Sequence, residues 1–142
     1  MITLTWVNRT RGRVPQHRLQ RILLRAAAKL SDRSQPKVSA IGMVFITPFE
    51  SRRLKKRFLG EDRAADVLSF RYGSAGEIFL SPGVIRAEAR VSGKPYVRLL
   101  DEMLLHGLLH LYGYHHEGSA LGARRFAAQE RALHRRLGLA RQ

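Results

Sequence analysis

The chain has 142 residues, of which 44% are hydrophobic and none is cysteine. This length suits one domain, expected to span residues 1–142, with enough apolar side chains to bury a core. The lack of cysteine excludes disulfide bonds, Cys-ligated zinc fingers and a thiol nucleophile, so any metal must be held by His, Asp or Glu. No apolar run approaches the roughly 18 residues that span a bilayer, and the first residues lack a secretion-signal pattern. We therefore expect a cytoplasmic protein with no membrane partner.

The net charge of +15 comes from 26 basic and 11 acidic residues. No acidic residue precedes Asp32, so the N-terminal part of the chain is a first basic stretch. Residues 52–57 form a second one. Such charge attracts polyphosphates, so RNA or the ribosome surface is the expected partner. A solvated, arginine-rich surface without a partner is the plainer alternative. The RNA-binding residues predicted in the second stretch are Arg52, Arg53, Lys55, Lys56 and Arg57.

The hydrophobic pattern predicts strands and helices that interleave along the chain. In chain order these are a strand at 2–7, a helix at 15–30, a strand at 38–46, a helix at 48–58, strands at 65–70 and 77–80, and helices at 82–91, 96–112 and 119–137. Pro15 suits a first helical turn, and Thr47-Pro48-Phe49-Glu50 is a capping box that begins the second helix. Residues 72–76 are expected to form a flexible link. The predicted fold class is α+β, α/β-like in its alternation, with a small sheet of about four strands covered by helices in a single domain.

Four of the six histidines fall within eleven residues, at the end of the strongly apolar helix predicted at 96–112. His106 and His110 are four residues apart, so on a helix their imidazoles lie on one face and can serve one metal ion. Gly113 can end the helix and let the chain turn back with a third ligand. Three nitrogens and a water form an open zinc site of the catalytic kind. An accidental pair is the alternative, but burying two histidines without a shared partner costs desolvation free energy.

Gly107 lies where helical zinc proteases carry the glutamate that acts as general base. Its identity argues against a metal-dependent peptidase, as does the strong positive charge. Glycine within a helix costs about 1 kcal/mol relative to alanine. Either a backbone or substrate passing close to that face or the packing of the helix itself would explain the glycine.

The histidine segment, His106-Gly-Leu-Leu-His-Leu-Tyr-Gly-Tyr-His-His116, resembles the motif His-Gly-x-Leu-His-Leu-x-Gly-Tyr-Asp-His of the YbeY family of bacterial endoribonucleases and rRNA maturation factors. Asp66-Val-Leu-Ser-Phe70 is similar to the family's second motif, and Gly76-Glu-Ile-Phe-Leu-Ser-Pro82 to its Gly-Asp-Ile strand and the helix start that follows. The likeness runs from about residue 40 to residue 137.

The resemblance implies a zinc-dependent endoribonuclease that prefers single strands and acts in 16S rRNA 3′-end maturation and ribosome quality control. It implies one Zn²⁺ per chain, held by His106, His110 and His116. The implied partners are rRNA and the small ribosomal subunit, without a small-molecule cofactor. The alternative is an RNA- or ribosome-binding assembly factor with a structural metal and little or no nuclease activity.

The chain departs from the family pattern at three positions. His115 replaces an aspartate and adds a competing ligand, although His116 keeps the family spacing. Leu59 stands where the family often has a functional arginine, and Arg57 is the candidate to replace it as a catalytic residue. Arg71 stands where the second motif is usually followed by proline.

No residue identifies itself as the general base. Asp66 is expected either to orient a ligand histidine or to cap the start of its strand. The stretch at residues 52–57 is expected to form a wall near the metal site, because it leads directly into the strand that contains Asp66 and Phe70.

Overall fold

The computed structural model describes residues 2–30, 32, 35–114 and 120–139. Each of the nine predicted elements is found, and the predicted α+β class with a four-stranded sheet is confirmed. Among these residues, no helix is both long and apolar enough to cross a bilayer. The strands are β1 (Thr3–Asn8), β2 (Ala40–Phe45), β3 (Val67–Tyr72) and β4 (Ala75–Leu80). The helices are α1 (Gln16–Lys29), α2 (Pro48–Leu59), α3 (Pro82–Ser92), α4 (Tyr96–Leu111) and α5 (Ala120–Arg136).

The four strands form one mixed sheet in the order β1-β2-β4-β3. β2 pairs in parallel with both β1 and β4, whereas β3 pairs antiparallel with β4. The parallel pairs require crossover connections, which α1 supplies between β1 and β2. β3 and β4 are joined directly and lie at one edge of the sheet.

The start of α2 has the capping box predicted for it. The Thr47 side chain accepts a hydrogen bond from the Glu50 amide at 3.1 Å, and the Glu50 carboxylate accepts one from the Thr47 amide at 3.3 Å. The helix ends at Gly60, whose φ of 71° is left-handed. Both ends of α2 therefore follow from local sequence chemistry.

The link between β3 and β4 differs from the prediction. Residues 72–76 are not a flexible connection, because Tyr72 pairs with Ala75 and the hairpin closes through Gly73 and Ser74 alone. Gly73 has a φ of 59°, which glycine adopts without steric cost and which tight hairpin turns require. β4 therefore begins two residues before the predicted position.

α4 packs closely against the face of the sheet that also buries α1. A Cβ at Gly107 would lie 2.9 Å from Val67 Cγ2, 3.0 Å from Ser69 Oγ and 3.1 Å from Ile78 Cγ2. The Ser69 hydroxyl donates a hydrogen bond to the Gly107 carbonyl at 2.8 Å. Of the two explanations for this glycine, the structure supports packing of the helix on the sheet.

Arg71 fastens the C-terminal end of α4 to the sheet. Its guanidinium donates to the Leu111 carbonyl at 2.9 Å and also to the Pro36 and Gly73 carbonyls. The last carbonyls of a helix have no partner within the helix, so this contact satisfies one of them. The departure from the family's proline thus has a structural role in this chain.

Candidate metal centre

His106 and His110 form a pair on the side of α4 that faces α5. Their ring centroids are 4.9 Å apart, and the rings are inclined by 67°. Gly107, on the adjacent side of the helix, faces the sheet instead. Zinc–nitrogen bonds are about 2.0–2.1 Å long, so two rings at this separation can present nitrogens to one ion. The structure therefore brings together the two histidines that helical spacing predicted.

Glu130 of α5 contacts the first of these histidines. Its Oε2 lies 2.9 Å from His106 Nδ1, and both side chains are about three-quarters buried. A carboxylate in this position accepts a hydrogen bond from the Nδ1–H group and leaves Nε2 available as a metal ligand. Sequence reasoning missed Glu130, since nothing local marks one glutamate of a charged helix as the partner of a histidine on another helix.

Asp66, the sequence-based candidate for that orienting role, makes its contacts elsewhere. Its carboxylate accepts a hydrogen bond from the Val67 amide at 2.7 Å, and its carbonyl accepts one from the Ser81 amide. It also hydrogen-bonds Glu88 of α3. Burial, followed by the charge and hydrogen bond of Asp66, raises the pKa of Glu88 to about 7. These contacts correspond to the alternative expectation, in which Asp66 caps the start of its strand.

Phe126 of α5 covers both imidazoles. Its ring centroid lies 4.9 Å from that of His106 and 4.8 Å from that of His110, and the side chain is buried. An apolar ring here excludes water from one side of the pair and restricts how the imidazoles rotate. α5 thus supplies both the orienting carboxylate and an apolar cover.

The chain turns back after α4, as the glycine stop predicts. Gly113 has a φ of 93°, and the Tyr114 amide donates to the Leu109 carbonyl at 3.0 Å. The predicted third ligand His116 and its competitor His115 lie outside the described residues. Within the described ranges, no three His, Asp or Glu side chains gather in an arrangement that would hold a metal. The choice of His116 therefore stays a prediction.

A groove of about 760 Å³ lies between α4 and α5 and includes His106 in its wall. Two of its cationic side chains form ion pairs with Glu102: Arg98 lies 3.3 Å and Lys94 lies 3.4 Å from the carboxylate. Burial lowers the pKa of His134 in the same groove. Apart from His106, the sequence does not predict this lining, because it comes from two helices that meet only in the folded chain. The cationic side chains of the groove are Lys94, Arg98, Arg131 and Arg135.

The predicted RNA-binding stretch lies elsewhere. Arg53, Lys56 and Arg57 line a second groove that shares no described residue with the first. The other two members, Arg52 and Lys55, lie against carboxylates of the loop after α2: Arg52 is 2.7 Å from Asp62, and Lys55 is 3.7 Å from Glu61. The structure thus does not bring this stretch into the groove that contains His106.

Arg57, the predicted catalytic residue, and Leu59, at the family's arginine position, both lie on the surface of α2. Arg57 is exposed, with its guanidinium carbon 5.4 Å from the centroid of Phe58. Leu59, at the family's arginine position, is 54% exposed at the end of the helix. Neither side chain is among those that line the histidine groove.

Comparison with known proteins assigns the family. The chain matches the family described as Endoribonuclease YbeY over residues 6–138. The endoribonuclease YbeY of Bordetella pertussis is 33% identical over 137 residues, which cover 91% of this chain and 87% of that protein. That of Bdellovibrio bacteriovorus is 41% identical over 80 residues, which cover 54% of this chain and 53% of that protein. A solution structure from Thermotoga maritima matches with a TM-score of 0.59 and 24% identity over 94% of this chain and 86% of that one, and thus has the same fold. The chain belongs to the endoribonuclease YbeY family.

Proposed function

We propose that this protein is a zinc-dependent endoribonuclease that cleaves single-stranded RNA in 16S rRNA 3′-end maturation and ribosome quality control. The observation that carries the proposal is the pair His106–His110, with Glu130 behind it and a cationic groove beside it. The family match and relatives named endoribonuclease give the reaction class. With rRNA and the small ribosomal subunit as partners, the protein would work in the cytoplasm.

The residues present fit a zinc ion. We assign its ligands to His106, His110 and His116, with one ion per chain. The contact of Glu130 with His106 Nδ1 supports this, because metal-bound histidines usually give their other ring N–H to a carboxylate or carbonyl. When bound, zinc would supply Lewis acidity towards a phosphoryl oxygen and activation of a water molecule.

The side chains around the pair have roles that follow from their positions. Glu130 holds the proton on His106 Nδ1 and fixes the orientation of the ring. Phe126 keeps water from one side of both imidazoles. Arg131 and Arg135 line the same groove without a carboxylate within ion-pair distance among the described residues, so they are available to neutralise phosphate charge.

The two rival functions are less well supported. An assembly factor without nuclease activity is not favoured, because the relatives that match nearly the whole chain are named endoribonucleases. A peptidase would need a glutamate at position 107. At that position even a Cβ atom would lie 2.9–3.1 Å from three side-chain atoms of the sheet, so a glutamate does not fit.

The test compares the wild type with two histidine variants. His110→Ala removes a proposed ligand, and His17→Ala, on the exposed surface of α1, is the matched control. We expect close to one zinc per chain in the wild type and in His17→Ala, and cleavage of a single-stranded rRNA fragment by both. His110→Ala should lose both properties. Equal cleavage by all three proteins, or none by the wild type at saturating zinc, would refute the nuclease. A zinc content below about a tenth of an equivalent, unrestored by added zinc, would refute the metal site.

A further inference from the structure

The second groove lies on the opposite side of the sheet from the histidines. Ile78 of β4 faces Gly107 of α4, so the next side chain, Phe79, points to the other face. Phe79 lies on the floor of a groove of about 820 Å³ that runs between the sheet and α2. The histidine pair belongs to the layer of α4 and α5, and the sheet therefore separates the two grooves.

This face of the sheet has a continuous aromatic surface. The ring centroids of Phe79 and Phe70 are 5.7 Å apart, and those of Phe70 and Phe58 are 5.3 Å apart. Phe58 is 55% exposed, and Tyr72, on the same face as Phe70, is also exposed. Exposed aromatic rings next to a cationic groove provide stacking surfaces for unpaired bases.

The groove is strongly cationic. Its wall contains Arg9, Arg53, Lys56 and Arg57, against the single carboxylate of Glu50. That carboxylate is 2.9 Å from Arg9 and is therefore already paired. Arg53 and Arg57 lie against the rings of Phe49 and Phe58, and no ion pair with a carboxylate is found for either one within the described part of the chain. These two guanidinium groups are available for phosphates.

We propose that this groove is an exosite that binds a single-stranded segment of RNA, apart from the place where RNA is cut. Phosphates contact Arg53 and Arg57, and unpaired bases stack on Phe58 and its aromatic neighbours. Only unpaired bases expose the faces that stack on such rings, so the groove selects single strands over duplexes. This assignment rests on the proposed function, in which the substrate is RNA. It explains why a basic helix faces away from the histidine groove.

Fluorescence anisotropy with the full-length protein tests the proposal. The probe is a labelled single-stranded 2′-O-methyl oligoribonucleotide, chosen to resist cleavage during the titration. The double variant Arg53→Glu/Arg57→Glu is compared with Arg21→Glu/Arg25→Glu, which makes the same change in net charge on the exposed surface of α1. We expect the groove variant to bind at least about tenfold more weakly than the control. Its plot of log affinity against log salt should be less steep by about 1.4, since each lost phosphate contact on a single strand changes that slope by about 0.7.

Phe58→Ala separates stacking from charge. We expect it to weaken binding by roughly 5- to 150-fold, the range for loss of one stacked base, with the salt dependence unchanged. A melting temperature close to that of the wild type verifies that each variant is folded. Equal loss of affinity in both charge-reversed proteins would overturn the exosite, because net charge alone would then explain binding. Equal binding of a duplex probe, or displacement of the RNA by polyglutamate at a similar concentration, would also overturn it, the latter in favour of an acidic protein partner.

The result does not depend on the proposed nuclease activity. Binding to an uncut probe is measured on the wild type and the groove variants, whereas cleavage is measured on the wild type and His110→Ala. A wild-type protein that binds through the groove but cuts no RNA would retain the exosite and refute the nuclease. If the protein cuts RNA but Arg53, Arg57 and Phe58 contribute nothing to binding, the nuclease would be retained and the exosite refuted.

Discussion

Replacing Gly107 by alanine tests how closely the metal-binding helix is held against the sheet. Two effects oppose each other. Alanine stabilises a helix interior by about 1 kcal/mol relative to glycine. The new methyl group would approach Val67 Cγ2, Ser69 Oγ and Ile78 Cγ2 at 2.9, 3.0 and 3.1 Å, distances at which the neighbours must shift. Overpacking of this kind costs about 1–3 kcal/mol.

The overpacking cost should be near its upper limit. Ile78 is fully buried, and the Ser69 hydroxyl cannot turn away without giving up its hydrogen bond to the Gly107 carbonyl. We therefore expect Gly107→Ala to lower the free energy of unfolding by about 1–2 kcal/mol, which corresponds to a fall in Tm of roughly 3–6 °C. Zinc affinity should fall as well, because His106 is adjacent in the chain and moves with the helix.

Urea unfolding followed by circular dichroism measures the change in stability. Ala87→Gly on the exposed side of α3 is the matched control, since it makes the opposite exchange in a helix without a neighbour to repack. It should lose about 1 kcal/mol from helix propensity alone. If Gly107→Ala were more stable than the wild type by a similar amount, the close packing of α4 on β3 and β4 would be disproved.

Three further predictions follow from individual contacts. Glu130→Gln should weaken zinc binding by roughly 10- to 100-fold, as measured by competition with a chelator. The control Glu61→Gln, on the exposed loop after α2, should leave zinc affinity unchanged. Equal zinc affinities of the two variants would show that Glu130 does not support the metal site. Because the folded-state pKa of Glu88 is raised to about 7, its contribution to stability is present in acid and is lost as pH rises through 7. Between pH 5 and pH 8, the free energy of unfolding of Glu88→Gln should therefore fall less than that of the wild type, by on the order of 1 kcal/mol for this largely exposed group. An equal fall in both proteins would contradict the raised pKa of Glu88. Arg18 and Asp101 form an ion pair in which the carboxylate is 5% exposed and the guanidinium 41% exposed. In urea unfolding, Arg18→Ala should cost about 3–5 kcal/mol, because it leaves the buried carboxylate unpaired, and Asp101→Asn only about 1.5–3 kcal/mol. The opposite order would refute this reasoning.

Local chemistry made part of the fold predictable. The capping box at Thr47 and the turns at Gly60 and Gly93 fix the ends of α2 and α3 through contacts a few residues apart. The spacing of His106 and His110 gives their common side of α4 by helical geometry alone. The hydrophobic pattern predicts the start of β4 two residues too late, because the pairing of Tyr72 with Ala75 depends on the partner strand rather than on that pattern.

The surroundings of the histidines could not be predicted in the same way. Glu130 and Phe126 reach the pair only through the packing of α5 on α4. The side of the sheet on which α2 lies depends on the strand order β1-β2-β4-β3, which hydrophobic periodicity does not encode. This is why the basic stretch around Arg57, expected beside the histidines, lines a different groove.

The contact between Arg71 and the end of α4 affects how this end of the molecule responds to its solvent. A proline stiffens a strand end through its covalent ring, and denaturants leave that constraint unchanged. Here the helix end, the hairpin turn and the segment before β2 are joined by hydrogen bonds from one guanidinium to Leu111, Gly73 and Pro36. Urea and heat weaken such bonds progressively, so residues 112–114, which directly follow α4, should gain mobility below the global unfolding transition.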